Sequence, residues 1–169
     1  EEKDQSTLLR AFAQVREVMD AHLTIVGSGS MLSRLKQLAF ELRIQSNVEF
    51  TGNLANPFPL IAGADVFALT SQWEGFGCVL AEAMGCGVAC VSTDCPHGPA
   101  EIIEHGKSGL LVPVGDAKAL SVSLVELLRD KRLRERLATS GKSRVRRLFA
   151  LKPRLADLER LFTQVTSEK

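Results

Sequence analysis

No run of apolar residues in this sequence approaches the ~20 that a membrane-spanning helix needs, and the first residues show no charged-then-apolar segment of the signal-peptide kind. Formal charge is only +1, which leaves little electrostatic drive for binding nucleic acid in bulk. Of the four cysteines, at 78, 86, 90 and 95, no two stand in C-x2-C spacing. A zinc site is therefore not read, and the thiols are expected to be reduced and mostly buried in a cytosolic protein. A complete dinucleotide fingerprint is also missing: Gly27-Ser28-Gly29 is followed by Leu32 where the third glycine would stand. Internal repeats, low-complexity stretches and linkers are absent as well.

What is there is a folding chain. Its 169 residues are 45% hydrophobic and 24% charged, the composition of a globular protein, and the length suits about one domain. One unit is expected over 1–169, with an α/β core over about 1–128 and helices over about 129–169. Charge is uneven, with a net of +8 between Arg129 and Arg160 and −7 elsewhere. The plain reading is a solvated helix face; contact with anionic lipid or polyphosphate is the alternative.

Apolar positions 8, 9, 12, 15 and 19 predict a first helix behind an Asp4 cap. A strand at His22–Val26 runs into Gly27-Ser28-Gly29. A helix follows over about 30–42, then a short strand at Val48–Phe50 and the turn Thr51-Gly52-Asn53. After a short helix at Phe58–Ala62 come a buried strand at Val66–Leu69, a helix from Gly77 to Met84 ended by Gly85, and a strand at Val88–Val91. A short helix at Pro99–Ile103 precedes a last strand at Leu110–Val112. Asp116 and Asp130 cap helices to about Leu128 and Ser140, and a final helix is expected from about Pro153 to Val165.

Continuous apolar strands alternating with helices are the pattern of a parallel sheet covered on both faces. The expected fold is α/β, an open doubly wound Rossmann-like parallel sheet. In the order 3-2-1-4-5-6 the first strand is central, and none precedes Lys3. The chain is thus expected to be a fragment cut just after that strand, with a gap between the strands at His22 and Val66.

Ligands of such sheets bind at the carboxyl ends of the strands. Three segments converge there: Gly27-Ser28-Gly29, 71–77 and 93–99. Gly27 and Gly29 can present amides to a phosphate, or simply form a tight strand-to-helix turn. Glu74 and Glu82 are separated by seven residues. Extended as a helix, that spacing puts them about 80° and ~12 Å apart, too far to share one proton or metal. They could hold two parts of one elongated ligand, with Gly75 and Gly77 allowing close approach. Carboxylates favour vicinal hydroxyls over a diphosphate, so a nucleotide-sugar fits, with hydroxyls at both ends and phosphates between. The plainer reading is one charge at a helix N-terminus and one solvated glutamate.

The segment Glu74-Gly75-Phe76-Gly77-Cys78-Val79-Leu80-Ala81-Glu82 resembles the E-x7-E motif of retaining GT-B glycosyltransferases, family 4 or "group 1". The resemblance extends over nearly the whole chain, through 3–12, Leu23–Gly29, Val48–Gly52, 64–71 and 93–103; the last resembles the variant of bacterial surface-glycan transferases. It implies that Lys3 pairs with the donor diphosphate, Glu82 accepts the ribose hydroxyls and Glu74 binds hydroxyls of the transferred sugar. Lys3 and Glu74 would be the catalytic residues. Backbone at Gly75, Phe76, Gly77 and Cys78 would help place sugar and phosphate, Gly27 and Gly29 would line the phosphate side, and Gly52 and Asn53 would lie near the base. Without the resemblance, Lys3 reads as a solvated charge. His97 reads as structural or solvated, and Glu101 as a cap for its helix with a place near the donor sugar second.

The resemblance further implies a UDP-linked hexose or N-acetylhexosamine donor, a glycan or lipid-linked acceptor held by an N-terminal domain absent here, and no metal or cofactor. Such a fragment would transfer little alone. A cytoplasmic place, peripheral at the inner membrane face, would suit the basic end. A nucleotide-sugar binding module, a GT-B-like epimerase and a dinucleotide oxidoreductase are the alternatives; Leu32 argues against the last.

Overall fold

The computed structural model describes residues 2–150, 155, 159, 160, 162 and 163. Helix α1 (Gln5–Val18) starts at Asp4, whose carboxylate accepts from the Thr7 N–H at 3.2 Å and the Thr7 hydroxyl at 2.7 Å. Its buried face carries Leu8, Leu9, Ala11, Phe12 and Val15. Strand β1 (Leu23–Val26), helix α2 (Leu32–Glu41), a 3-10 turn at Gln45–Asn47 and strand β2 (Val48–Gly52) follow. Then come α3 (Phe58–Ala62), β3 (Val66–Leu69), α4 (Cys78–Cys86), β4 (Ala89–Thr93), α5 (Pro99–Ile102) and β5 (Leu110–Val112), and the helices α6 (Ala117–Arg129) and α7 (Lys131–Phe149).

All strand pairs are parallel, in two ladders: β1–β2, and β3–β4–β5 with β4 central. Within each ladder the neighbours are those of the expected order, and no strand pairing joins the two ladders among the described residues. Residues Glu2 and Lys3 run beside the end of β3. The Gln72 N–H donates to the Glu2 carbonyl at 2.9 Å and the Thr70 hydroxyl to the Lys3 carbonyl at 2.8 Å.

Strand alternation explains how both faces are covered. Ala89 and Val91 pack into one core with α1, α2 and α6, around Leu9, Leu35, Leu120 and Leu127. Cys90, between them, packs into a second core with Leu80, Met84, Ile102 and Ile103. Helix α7 lies over the second core. Its buried Gly141 is so close that a Cβ there would stand 2.8 Å from the Ser108 carbonyl and 3.1 Å from Met84.

Two helix ends differ from the sequence expectation. Helix α4 does not stop at Gly85; it runs to Cys86 and ends at Gly87, which takes the left-handed conformation (φ 86) that terminates helices. Helix α7 does not stop at Ser140, because Gly141 serves a close packing contact and continues the helix to Phe149. Helix α2 begins two residues later than expected, at Leu32, behind an uncapped Met31, and β4 is displaced to Ala89–Thr93. The helix expected over Pro153–Val165 lies largely outside the described residues. Among the described residues no helix is long and apolar enough to cross a membrane.

Candidate functional site

The candidate site lies at the carboxyl ends of the strands. After β1 the chain turns through Gly27 (φ 120), whose N–H donates to the Gly52 carbonyl at 2.8 Å. Gly52 also has positive φ, at 69, and a Cβ on either glycine would meet nothing. Backbone conformation, not crowding, therefore calls for glycine at both positions. Beside them a cleft of ≈ 330 Å³ is lined by Glu2, Lys3, Gln5, the stretch 25–32 including Gly27 and Gly29, Leu35 and Phe50. A neighbouring hollow of ≈ 300 Å³ shares Gln5, Met31 and Leu35 and reaches Gln72.

After β3 the chain carries Ser71 and Glu74 inward. Glu74 is 8% exposed, and a carboxylate so buried needs partners. It has two: the Lys3 ammonium donates to its Oε1 at 2.8 Å and the Ser71 hydroxyl to the same oxygen at 2.6 Å. Burial works against the Lys3 charge. The hydrogen bond and charge of Glu74, with Glu2 3.5 Å away, outweigh that effect and hold the Lys3 pKa above its ordinary value. The Thr93 hydroxyl, at the end of β4, donates to the Ser71 carbonyl at 2.6 Å. The ends of β3 and β4 are thereby tied beneath Glu74.

Glu74 lies in a non-helical turn four residues before α4 begins, so the helical extrapolation from Glu74 to Glu82 does not hold. Glu82 stands on α4, exposed and in no hydrogen bond or ion pair among the described residues. Gly77 (φ 88) starts α4 with no side-chain cap, leaving first-turn amides open to a ligand. Gly75 faces open space and Cys78 is exposed. The Phe76 ring packs edge-on against Phe149, with centroids 5.1 Å apart, and Phe76 does not line the cleft. Asn53 is exposed and does not line the cleft.

The structure thus brings Lys3, Gly27 and Gly29 to one cleft, and Lys3 to Glu74. Sequence reasoning missed the pairing of Lys3 with Glu74 and the roles of Ser71, Thr70, Thr93 and Gly98. A small hydroxyl residue three positions before Glu74 was a signal for Ser71. Gly98 left none: a Cβ there would fall 2.1 Å from the Phe76 carbonyl oxygen, a contact between loops far apart in sequence. Glu101 Oε1 accepts from the Gly98 N–H at 3.4 Å, reaching back to the start of its helix. His97 is exposed, with φ 63. Burial pushes the Cys95 thiol up, and the Glu74 charge adds to that, so this buried thiol stays protonated at neutral pH. Among the described residues no group of three or more His, Cys, Asp or Glu is placed to hold a metal ion.

Chemically, the arrangement offers a cation, a partnered carboxylate, a second and free carboxylate, uncapped helix amides and a glycine-lined cleft. It suits a long polar ligand with hydroxyls at its ends and negative charge between them.

Known proteins resemble this chain in sequence and in fold. The chain is 34% identical over 158 residues to an N-acetyl-alpha-D-glucosaminyl L-malate synthase of Bacillus anthracis, covering 94% of this chain and 41% of that protein. It is 33% identical over 144 residues, 85% of this chain and 39% of the relative, to a diphospho-undecaprenol-linked glycan 4-alpha-N-acetylgalactosaminyltransferase of Campylobacter jejuni. The chain therefore spans about two fifths of the length of these relatives. Among solved structures, HepE of Anabaena in complex with UDP and glucose superposes with TM-score 0.85 at 26% identity, over 99% of this chain and 46% of that one. The model of the family described as "Glycosyl transferases group 1" matches residues 1–144, and the chain belongs to that family.

Proposed function

We propose that the chain is the donor-binding part of a retaining glycosyltransferase, taking a hexose or N-acetylhexosamine from a nucleotide-diphosphate sugar, UDP-linked, to a glycan or lipid-linked acceptor. The observation that carries this reading is the Lys3–Glu74 pair, whose lysine lines the glycine-lined cleft, with the exposed Glu82 one helix turn beyond the uncapped start of α4.

In this reading Glu82 receives the ribose hydroxyls and Glu74 the hydroxyls of the transferred sugar. Lys3 lies against the diphosphate and stabilises the negative charge that grows on it as the sugar departs. The amides of Gly75–Cys78 and the turn at Gly27–Gly29 place sugar and phosphates, and Gly52 and Asn53 lie toward the base. Substitution proceeds on the same face of the sugar, with no bound metal or cofactor. The acceptor is held by a further domain, which also excludes water. The HepE complex, with UDP and glucose, supports the donor assignment. The Campylobacter relative, named for a diphospho-undecaprenol acceptor, supports the lipid-linked class.

A cytoplasmic place, peripheral on the membrane, completes the reading. Three arginines of α7 already have structural partners: Arg134 with Asp65 and the end of α6, Arg136 with the Gly106 carbonyl, and Arg144 with the Ile102 and Glu101 carbonyls. Exposed Arg132, Arg146 and Arg147 remain for an anionic surface. Calorimetric titration with UDP, UDP-glucose, UDP-N-acetylgalactosamine and GDP tests the donor assignment. UDP is expected to bind saturably, a UDP-sugar more tightly, and GDP weakly. Equal affinity for UDP and GDP would refute the UDP assignment.

A further inference from the structure

We propose that Ser71 is a positioning residue for the donor sugar: it holds Glu74 so that one carboxylate oxygen is saturated from inside the protein and the other is presented to ligand hydroxyls. The inference rests on the donor-binding reading and adds to it a residue and a division of labour between two oxygens.

Ser71 is fully buried, and its hydroxyl donates to Glu74 Oε1 at 2.6 Å, within the short range of hydrogen bonds to a charged acceptor. Lys3 donates to that same oxygen. Oε2 takes part in no hydrogen bond or ion pair among the described residues. Yet no buried side-chain oxygen or nitrogen is left without a partner among them. Oε2 therefore reaches the surface, although Glu74 as a whole is 8% exposed. An ionised carboxylate has about four acceptor sites, and the two on Oε2 are those a pair of vicinal hydroxyls can use.

Ser71 is itself fixed. Its carbonyl accepts from Thr93 at 2.6 Å, and Thr93 is 1% exposed at the end of the central strand. A chain of two hydrogen bonds thus runs from β4 to the carboxylate. Lys3 cannot replace it, because its side chain is 46% exposed and in the donor-binding reading it also serves the diphosphate. Without the Ser71 hydroxyl the carboxylate loses its rigid contact and can follow the lysine away from the sugar.

The test compares dissociation constants for UDP, UDP-glucose and UDP-N-acetylglucosamine on the 169-residue chain as wild type, Ser71→Ala, Glu74→Ala and the double variant, with thermal melting to confirm folding. In Ser71→Ala the UDP affinity stays within about twofold. The extra affinity contributed by the sugar falls about tenfold, or vanishes where it is smaller, as expected for loss of one hydrogen bond to a charged group. In the Glu74→Ala background, Ser71→Ala then has no further effect, because both changes remove one contact. An unchanged sugar contribution in Ser71→Ala, or a further loss in the double variant, overturns the inference. A wild-type chain that binds UDP but gains nothing from either sugar also overturns it, while nucleotide binding stands. Failure to bind UDP at all overturns the donor-binding reading itself. Should Ser71→Ala not fold, Thr93→Val removes the other link of the chain, with the same expected and contrary results.

Discussion

Lys3 and Glu74 lie 71 positions apart in the chain and meet at 2.8 Å. The glutamate is buried and the lysine half-exposed, so solvent screens the pair and its contribution to stability is expected to stay under ~1 kcal/mol. Because the Lys3 pKa is raised above its ordinary 10.5, that contribution is fully present at neutral pH and fades as pH rises through the folded-state value. Urea unfolding of wild type and Lys3→Met should therefore show a small difference at pH 7 that closes above pH 10.5; a difference that grows in alkali would contradict the assignment. Glu82 has the opposite profile, exposed and without a hydrogen bond or ion pair among the described residues. Glu82→Ala should leave the melting temperature within 1–2 °C, as for most exposed positions, and weaken UDP binding about tenfold. The sequence singles out both acids because their spacing resembles a known motif. Their different environments were not legible there, since burial of Glu74 depends on Ser71, Thr93 and a lysine from the other end of the chain.

At the scale of elements, three glycines separate what the local sequence tells from what packing decides. Gly85 lies inside α4 with open space where a Cβ would go. Gly85→Ala should stabilise the chain by ~0.5–1 kcal/mol, the ordinary helix-propensity gain. Gly141 lies inside α7 with the same propensity, but a Cβ there would strike the Ser108 carbonyl at 2.8 Å. Gly141→Ala should destabilise by ~1–3 kcal/mol as α7 is forced off the second core. Chemical denaturation of the two variants checks the pair, and the opposite signs are the point. Gly98→Ala combines φ +82 with a Cβ 2.1 Å from the Phe76 carbonyl oxygen, so it should disrupt the loop carrying Gly75–Cys78 and lower both stability and UDP affinity. A helix-ending glycine and a packing glycine look alike in sequence. That is why the ends of α4 and α7 were misplaced, whereas Asp116 and Asp130, whose caps depend on local geometry alone, were correctly read.

For the whole molecule, the alternation of apolar strands with helices made the parallel α/β architecture and the strand neighbours within each ladder legible in the sequence. The pairing of faces was not, because only packing shows that α7 closes over Met84 and Leu80. The two ladders are not hydrogen-bonded to one another. Amide exchange should consequently be slowest in β4, which is buried throughout and bonded on both sides, and faster in the β1–β2 ladder. The central claim, that the carboxyl ends of these strands hold a nucleotide-diphosphate sugar, is tested most directly by residue-resolved amide NMR during titration with UDP and UDP-glucose. The account predicts saturable shifts at Lys3, Gly27, Gly29 and Gly75–Glu82, with Ser71 and Glu74 responding to the sugar beyond their response to UDP. Absence of saturable shifts in a folded chain, or shifts gathered on α6 and α7 away from the cleft, would contradict it.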